Sequence, residues 1–172
     1  MVFMDREMEI KKFLGKGKGG YSYLSEYNGK PCVLKQFHDE KVDYYTFSEP
    51  KLSLELRDYE RLSGLGLPVP ELYDYDPERG ILVKEYIDGP TCYDLVRDDL
   101  MKDSLLEEVN AMCRVLYPAG LNIDYYPTNF IASSCGLYYI DYECNAYDEK
   151  WDFAHWGIKY WSKTAEFMKT LE

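Results

Sequence analysis

Between Phe13 and Phe37 the chain reads FLGKGKGGYSYLSEYNGKPCVLKQF, with Asn28-Gly29 set among strand-forming residues. Asn-Gly is a favoured tight-turn dipeptide, so this stretch is constrained to an antiparallel hairpin. Upstream, Gly15, Gly17 and Gly20 stand at G-x-G-x-x-G spacing. The segment therefore predicts a strand, a glycine turn, a second strand, the Asn-Gly hairpin and a third strand ending near Lys35. A dinucleotide-binding unit is excluded, because its glycines must open a helix within a β-α-β unit, whereas YSYLSEY and PCVLKQF pattern as paired strands.

Downstream, apolar residues at 52, 54, 56, 59, 62 and 65 in LSLELRDYERLSGL predict an amphipathic helix that Gly64 and Gly66 can end. Next come a strand, a turn at Asp76-Pro77-Glu78-Arg79-Gly80, and an apolar strand from Ile81 to Ile87 closed by Asp88-Gly89-Pro90. That last turn is the expected boundary between two lobes. Residues 91 to 118 pattern as mainly helical, residues 121 to 143 as two short β-like runs around loops, and the tail from Trp151 as an aromatic-rich helix. No internal repeat or low-complexity linker interrupts the layout.

A chain of 172 residues, 46% hydrophobic, can bury one substantial core or two small lobes. Its net charge of -11 argues against a nucleic-acid or anionic-membrane surface, which needs a basic footprint. Lys11, Lys12, Lys16 and Lys18 are a local exception. Each alone is an ordinary solvated edge residue; clustered on a glycine loop they suit an anionic ligand. Five scattered cysteines without a C-x-x-C pair predict buried free thiols in a reducing cytoplasm rather than a disulfide framework. Asp5, Glu7 and Glu9 precede any long apolar stretch, and no run reaches membrane-spanning length. The expectation is a soluble, cytoplasmic protein.

The order of features is more specific than any one of them: a glycine loop, Lys35 on a strand, a helix glutamate, an apolar strand entering a hinge, then LNIDYYPTNFI and LYYIDYE. In this order the sequence resembles the protein-kinase-like superfamily from residue 13 to 156. IDYE in place of D-F-G, followed by Trp151-Asp152-Phe153-Ala154, is similar to small bacterial-type kinases of the aminoglycoside phosphotransferase and choline kinase branch. EYIDGPT is shared in type with that branch and with RIO-type atypical kinases.

The resemblance implies an α+β, two-lobed protein-kinase-like fold: a small antiparallel-sheet N-lobe over residues 1–84, a hinge at 85–90, and a reduced, mainly helical C-lobe over 91–172. It implies ATP and magnesium as cofactors. Gly15, Gly17 and Gly20 would admit the phosphates close to the backbone, being free of side chains and able to adopt positive φ. Lys35 would hold the α- and β-phosphates, paired with Glu55; Glu60 and Glu49 stay open as alternatives. The Glu85 carbonyl and the Ile87 N–H would meet the adenine edge. Asp124 would orient the acceptor hydroxyl, Asn129 and Asp141 would hold magnesium, and Asp152 would have a structural role.

Some positions depart from the pattern. Lys84 stands at the usual apolar gatekeeper, Asn122 replaces a histidine, and Tyr126 occupies the place of a γ-phosphate lysine, a cation that Lys16 or Lys18 could replace from the glycine loop. Only 31 residues follow Asp141, too few for a peptide platform, which leaves room for a protein partner that completes the C-lobe. Transfer of the ATP γ-phosphoryl group to a hydroxyl of a protein Ser/Thr or of a small molecule is the expected activity. A pseudokinase that binds nucleotide without turnover, and an interaction domain that binds none, are the competing classes.

Overall fold

The computed structural model of the protein describes residues 1–3, 6–17, 19–38 and 50–172. Lys18 and Glu49 lie outside them. The fold is α+β and divides into two compact units, Met1–Arg57 with Pro70–Tyr86, and Asp58–Val69 with Ile87–Glu172. The second half of the first long helix, together with the turn that ends it, thus groups with the second unit.

The first unit is built on five antiparallel strands: β3 (Lys12–Lys16), β4 (Gly20–Tyr27), β5 (Lys30–Phe37), β6 (Leu72–Asp76) and β7 (Ile81–Glu85), in the order β3-β4-β5-β7-β6. A two-residue pair, β1 (Val2–Phe3) with β2 (Arg6–Glu7), precedes them. Asn28 and Gly29 both have positive φ, 50° and 78°, and Tyr27 faces Lys30 across them. That is the primed turn whose twist matches the flanking strands. Because side chains alternate across a strand, Leu34 and Val83 lie on one face with Cys32, Ile81, Phe3 and Met8 as the core. Lys35 lies opposite Leu82 on the other face. At the β6–β7 turn the Asp76 carboxylate accepts the N–H groups of Glu78 and Arg79, each at 3.0 Å, and Gly80 supplies the positive φ.

Helix α1 (Lys51–Gly64) ends as its glycines predict. Gly66 has φ 74°, its N–H donates to Ser63, and the Leu67 N–H reaches back to Leu62, the paired bonds of a Schellman stop. In the second unit, Thr91 caps α2 (Cys92–Arg97) through the Asp94 N–H, and α3 (Asp103–Leu116) buries Leu105, Val109, Met112, Cys113 and Leu116 along one stripe. Strands β9 (Phe130–Ser133) and β10 (Gly136–Tyr139) form one antiparallel hairpin; β8 (Leu121–Ile123) and β11 (Cys144–Ala146) form a second pair.

The structure corrects four expectations. The predicted strand from Ile81 stops at Glu85, and Pro90 and Thr91 instead join β9 through the Ala132 N–H to Pro90 bond and a Thr91–Ile131 bridge. The lobe expected as mainly helical over 91–172 is helical as far as Leu116, through α2 and α3, but beyond Gly120 short strands and 3-10 turns prevail. The tail is not one helix: it breaks into turns at Glu149–Trp151 and Gly157–Tyr160, the four-residue α4 (Ala165–Met168) and a last turn at Lys169–Leu171. The Asp152 carboxylate takes the His155 N–H and its carbonyl takes those of Trp156 and Gly157, closing a local turn that competes with helix propagation. Finally, Cys135 is exposed, while Cys32, Cys92, Cys113 and Cys144 are buried free thiols. Among the described residues no helix is long and apolar enough to cross a membrane.

Candidate functional site

In the first unit the glycine segment links β3 to β4. The Gly17 N–H donates to the Gly20 carbonyl at 2.9 Å and closes the turn. A Cβ on Gly20 would stand 2.5 Å from the Gln36 carbonyl oxygen, so close strand packing requires glycine there. None of Gly15, Gly17 and Gly20 has positive φ, which corrects the expectation that backbone conformation demands them. A Cβ at Gly15 would meet nothing within 4 Å and one at Gly17 only the Gly20 carbonyl, at 3.9 Å, so the bareness of the loop is what these two contribute. Lys16 lies beside this turn with its ammonium 5.2 Å from the Tyr21 ring.

Lys35 sits within β5, between Ser22 of β4 and Leu82 of β7. Its ammonium forms an ion pair with the Glu55 carboxylate of α1; the side chains are only 12% and 13% exposed. At that burial each charge needs the other, because an unpaired ion removed from water is strongly destabilising. Glu60, one turn further along α1, is exposed. Glu85 closes β7, donating its N–H to the Glu71 carbonyl and accepting the Glu71 N–H on its carboxylate. Lys84, for which the resemblance implied a gatekeeper position, is 6% exposed and faces Val33 across the ladder.

In the second unit the fold gathers Asp124, Asn129 and Asp141 around the base of the β9–β10 hairpin. Asp124 follows β8, and its carboxylate accepts the Tyr126 N–H at 3.1 Å. Pro127 opens a single 3-10 turn, and the Asn129 side-chain amide donates to the Asp124 carbonyl at 3.3 Å. The hairpin extends by one more bond, from the Ile140 N–H to the Asn129 carbonyl at 2.9 Å, and Asp141 comes next, its Oδ1 accepting the Tyr142 N–H.

Three buried aromatic residues brace this loop, and the motif order did not single them out. The Tyr139 hydroxyl donates to the Glu143 carbonyl at 2.9 Å and receives the Asp124 N–H at 3.4 Å. The Trp161 indole N–H donates to the carbonyl of Tyr125, whose ring is wholly buried. Such residues look in sequence like ordinary core, and 18 tyrosines mask the few that matter. Burial, and then the charges of Asp141, Glu143 and Asp124, hold the Tyr139 hydroxyl well above the usual phenol range, so it remains a donor. Burial also raises Tyr126, whose ring packs against Tyr93 and Tyr160.

Asn122 is buried and donates to the Asp148 carbonyl at 2.9 Å. Asp152 accepts the His155 N–H, the His155 ring and the Tyr147 hydroxyl. Burial opposes its ionisation, but these donors outweigh burial and hold its carboxyl below the ordinary range.

The donor set suits magnesium. Asn129 Oδ1 and the Asp141 carboxylate are hard oxygen ligands, and the neighbouring Asp124 and Glu143 add negative charge. Among the described residues no group of three or more His, Cys, Asp or Glu could hold a metal by itself.

No protein-family model matches the chain. Over 143 residues, covering 80% of its length, it is 24% identical to the "probable bifunctional tRNA threonylcarbamoyladenosine biosynthesis protein" of Methanothermobacter thermautotrophicus. The chain spans about a quarter of that relative, 26% of its length.

Proposed function

We propose that this protein is a magnesium-dependent ATP:alcohol phosphotransferase with a two-lobed, protein-kinase-like organisation: residues 1–84 as a nucleotide-holding lobe, 85–90 as the hinge and 91–172 as the catalytic lobe. The observation that carries the reading is the gathering of Asp124, Asn129 and Asp141 at one hairpin base, with the Asn129 amide donating to the Asp124 carbonyl. The Lys35–Glu55 pair supports it from the first unit.

In this reading the bare glycine segment admits the phosphates, Lys35 binds them while Glu55 holds its ammonium in place, and the backbone at Glu85 and Ile87 takes the adenine edge. Asn129 and Asp141 hold magnesium, which when bound supplies charge neutralisation at the transferred group. Asp124 orients the acceptor hydroxyl and receives its proton. Catalysis is then mostly positioning and electrostatics, as expected for phosphoryl transfer. The relative's name supplies a setting, the biosynthesis of a modified tRNA nucleoside. The net charge of -11 argues against a nucleic-acid surface on this chain, so in this reading any grip on RNA is left to a partner.

Tyr126 favours a second reading. An aromatic ring packed between Tyr93 and Tyr160 stands where a cation would stabilise the transition state, as in a module that binds nucleotide without turnover. Calorimetry of ATP binding with and without magnesium, on wild type, Lys35→Ala and Asp141→Asn, tests the site. Magnesium-dependent binding weakened by both substitutions is expected, and well-folded protein that binds no ATP refutes it. Phosphate release or transfer measured on the same samples separates the enzyme from the nucleotide-binding module.

A further inference from the structure

Asp58 is 5% exposed within α1, an unfavourable place for a carboxylate and a poor residue for a helix interior. Its placement is explained by the groups it touches. Asp58 Oδ2 accepts the backbone N–H of Cys144 at 3.2 Å, and Arg61, one turn along, brings its guanidinium to 3.6 Å from Oδ1. Cys144 lies three residues beyond Asp141 and begins β11, where it pairs with Ile123, the residue before Asp124. The next residue of α1, Tyr59, packs against Tyr142 in a tilted ring contact with centroids 4.7 Å apart; Tyr142 is wholly buried, and its N–H holds the Asp141 carboxylate at 2.9 Å. One turn of helix therefore grips both sides of the 141–144 segment, through a charged hydrogen bond at Cys144 and a ring contact at Tyr142.

We infer that Asp58 is a positioning residue for Asp141, acting through the Cys144 backbone, with Tyr59 as its apolar counterpart. This rests on the reading of Asp141 as a magnesium-binding carboxylate. Neither residue touches the nucleotide or the metal in this scheme. Their effect is to fix where the Asp141 carboxylate points when the cation arrives, as outer partners of metal ligands do.

The test is the magnesium concentration that half-saturates the binding of ATP, measured alongside ATP binding in excess chelator and a thermal melt. Asp58→Ala is expected to raise the magnesium requirement ~10-fold, the lower end for loss of an outer partner, and to leave metal-free ATP binding within ~2-fold. Asp58→Asn retains an oxygen for the Cys144 N–H and is expected to restore the requirement to within ~3-fold of wild type. If Asp58→Ala does not fold, Tyr59→Leu, which keeps the carboxylate and removes the ring from Tyr142, reads the same quantity and is expected to shift it the same way. Folded Asp58→Ala or Tyr59→Leu protein with wild-type magnesium dependence overturns the inference alone, as does a parallel loss of metal-free binding or a failure of Asn to rescue. Wild-type protein whose ATP binding ignores magnesium overturns the reading of Asp141 and this inference with it.

Discussion

Replacing Tyr139 with phenylalanine removes one oxygen from the point where three segments of the second unit meet. The ring is wholly buried and packs against Phe130 with centroids 5.2 Å apart, contacts that phenylalanine reproduces. No cavity beyond the hydroxyl is created, so the cost is that of hydrogen bonds. The 2.9 Å bond to the Glu143 carbonyl has good length; the contact from the Asp124 N–H, at 3.4 Å, is at the outer edge of a real bond and counts for less. Together they give a loss of about 1–2 kcal/mol, since each deletion also leaves a partly buried backbone group short of its partner. For a chain of this length that corresponds to a fall of ~2–8 °C in melting temperature.

A second readout comes from pH. The folded-state pKa of Tyr139 is raised, chiefly by burial, so its contribution is complete below the unfolded value of about 10 and is lost as the pH rises beyond it. Tyr139→Phe should therefore lose less stability than wild type between pH ~9 and ~11. In the proposed phosphotransferase the same substitution should also lower turnover, because the hydroxyl ties Asp124 to the segment after Asp141. Urea and thermal unfolding of the two proteins measure all but the last effect. A variant within ~1 °C of wild type, with an unchanged alkaline limb, would refute the assignment of Tyr139 as the tie.

Two further substitutions test the tail. A methyl group on Gly157 would stand 2.6 Å from the Tyr125 Cβ and 2.8 Å from the Phe153 ring, so Gly157→Ala should cost about 1–3 kcal/mol by overpacking, read from urea midpoints; an unchanged midpoint would mean that the tail can move aside. Asp152 has a lowered folded pKa, so its stabilisation is complete above the unfolded value of about 3.9 and is lost as the pH falls through the folded one. The gap in stability between wild type and Asp152→Asn should accordingly close on acidification below pH ~4, and a gap independent of pH would show that the carboxylate charge is not what these donors stabilise.

The parts of this protein legible in its sequence are those whose causes lie within a few residues. Asn28-Gly29 determined the first hairpin, Gly66 the end of α1, and Asp76 with Gly80 the turn before β7, because turn and cap chemistry is local. The spacing of Asp124, Asn129 and Asp141 could likewise be read, since one hairpin separates the last two. The failures have a common cause as well. The tail carries enough aromatic residues to pattern as a helix, yet Asp152 captures three backbone N–H groups and Gly157 is pressed against Tyr125, a contact 32 positions away that periodicity cannot register.

The sequence by itself therefore determined the α+β class, the hairpin order and the identity of the polar residues available for chemistry. Only tertiary structure decided their partners. Of the glutamates considered for Lys35, Glu55 makes the ion pair while Glu60 is exposed. Gly20 is required by the nearness of Gln36 rather than by its own φ, and Asp58 finds its hydrogen bond 86 residues away at Cys144. Pairings of that kind depend on which buried charge or backbone donor is left to be satisfied once the chain has packed, and no local pattern encodes it.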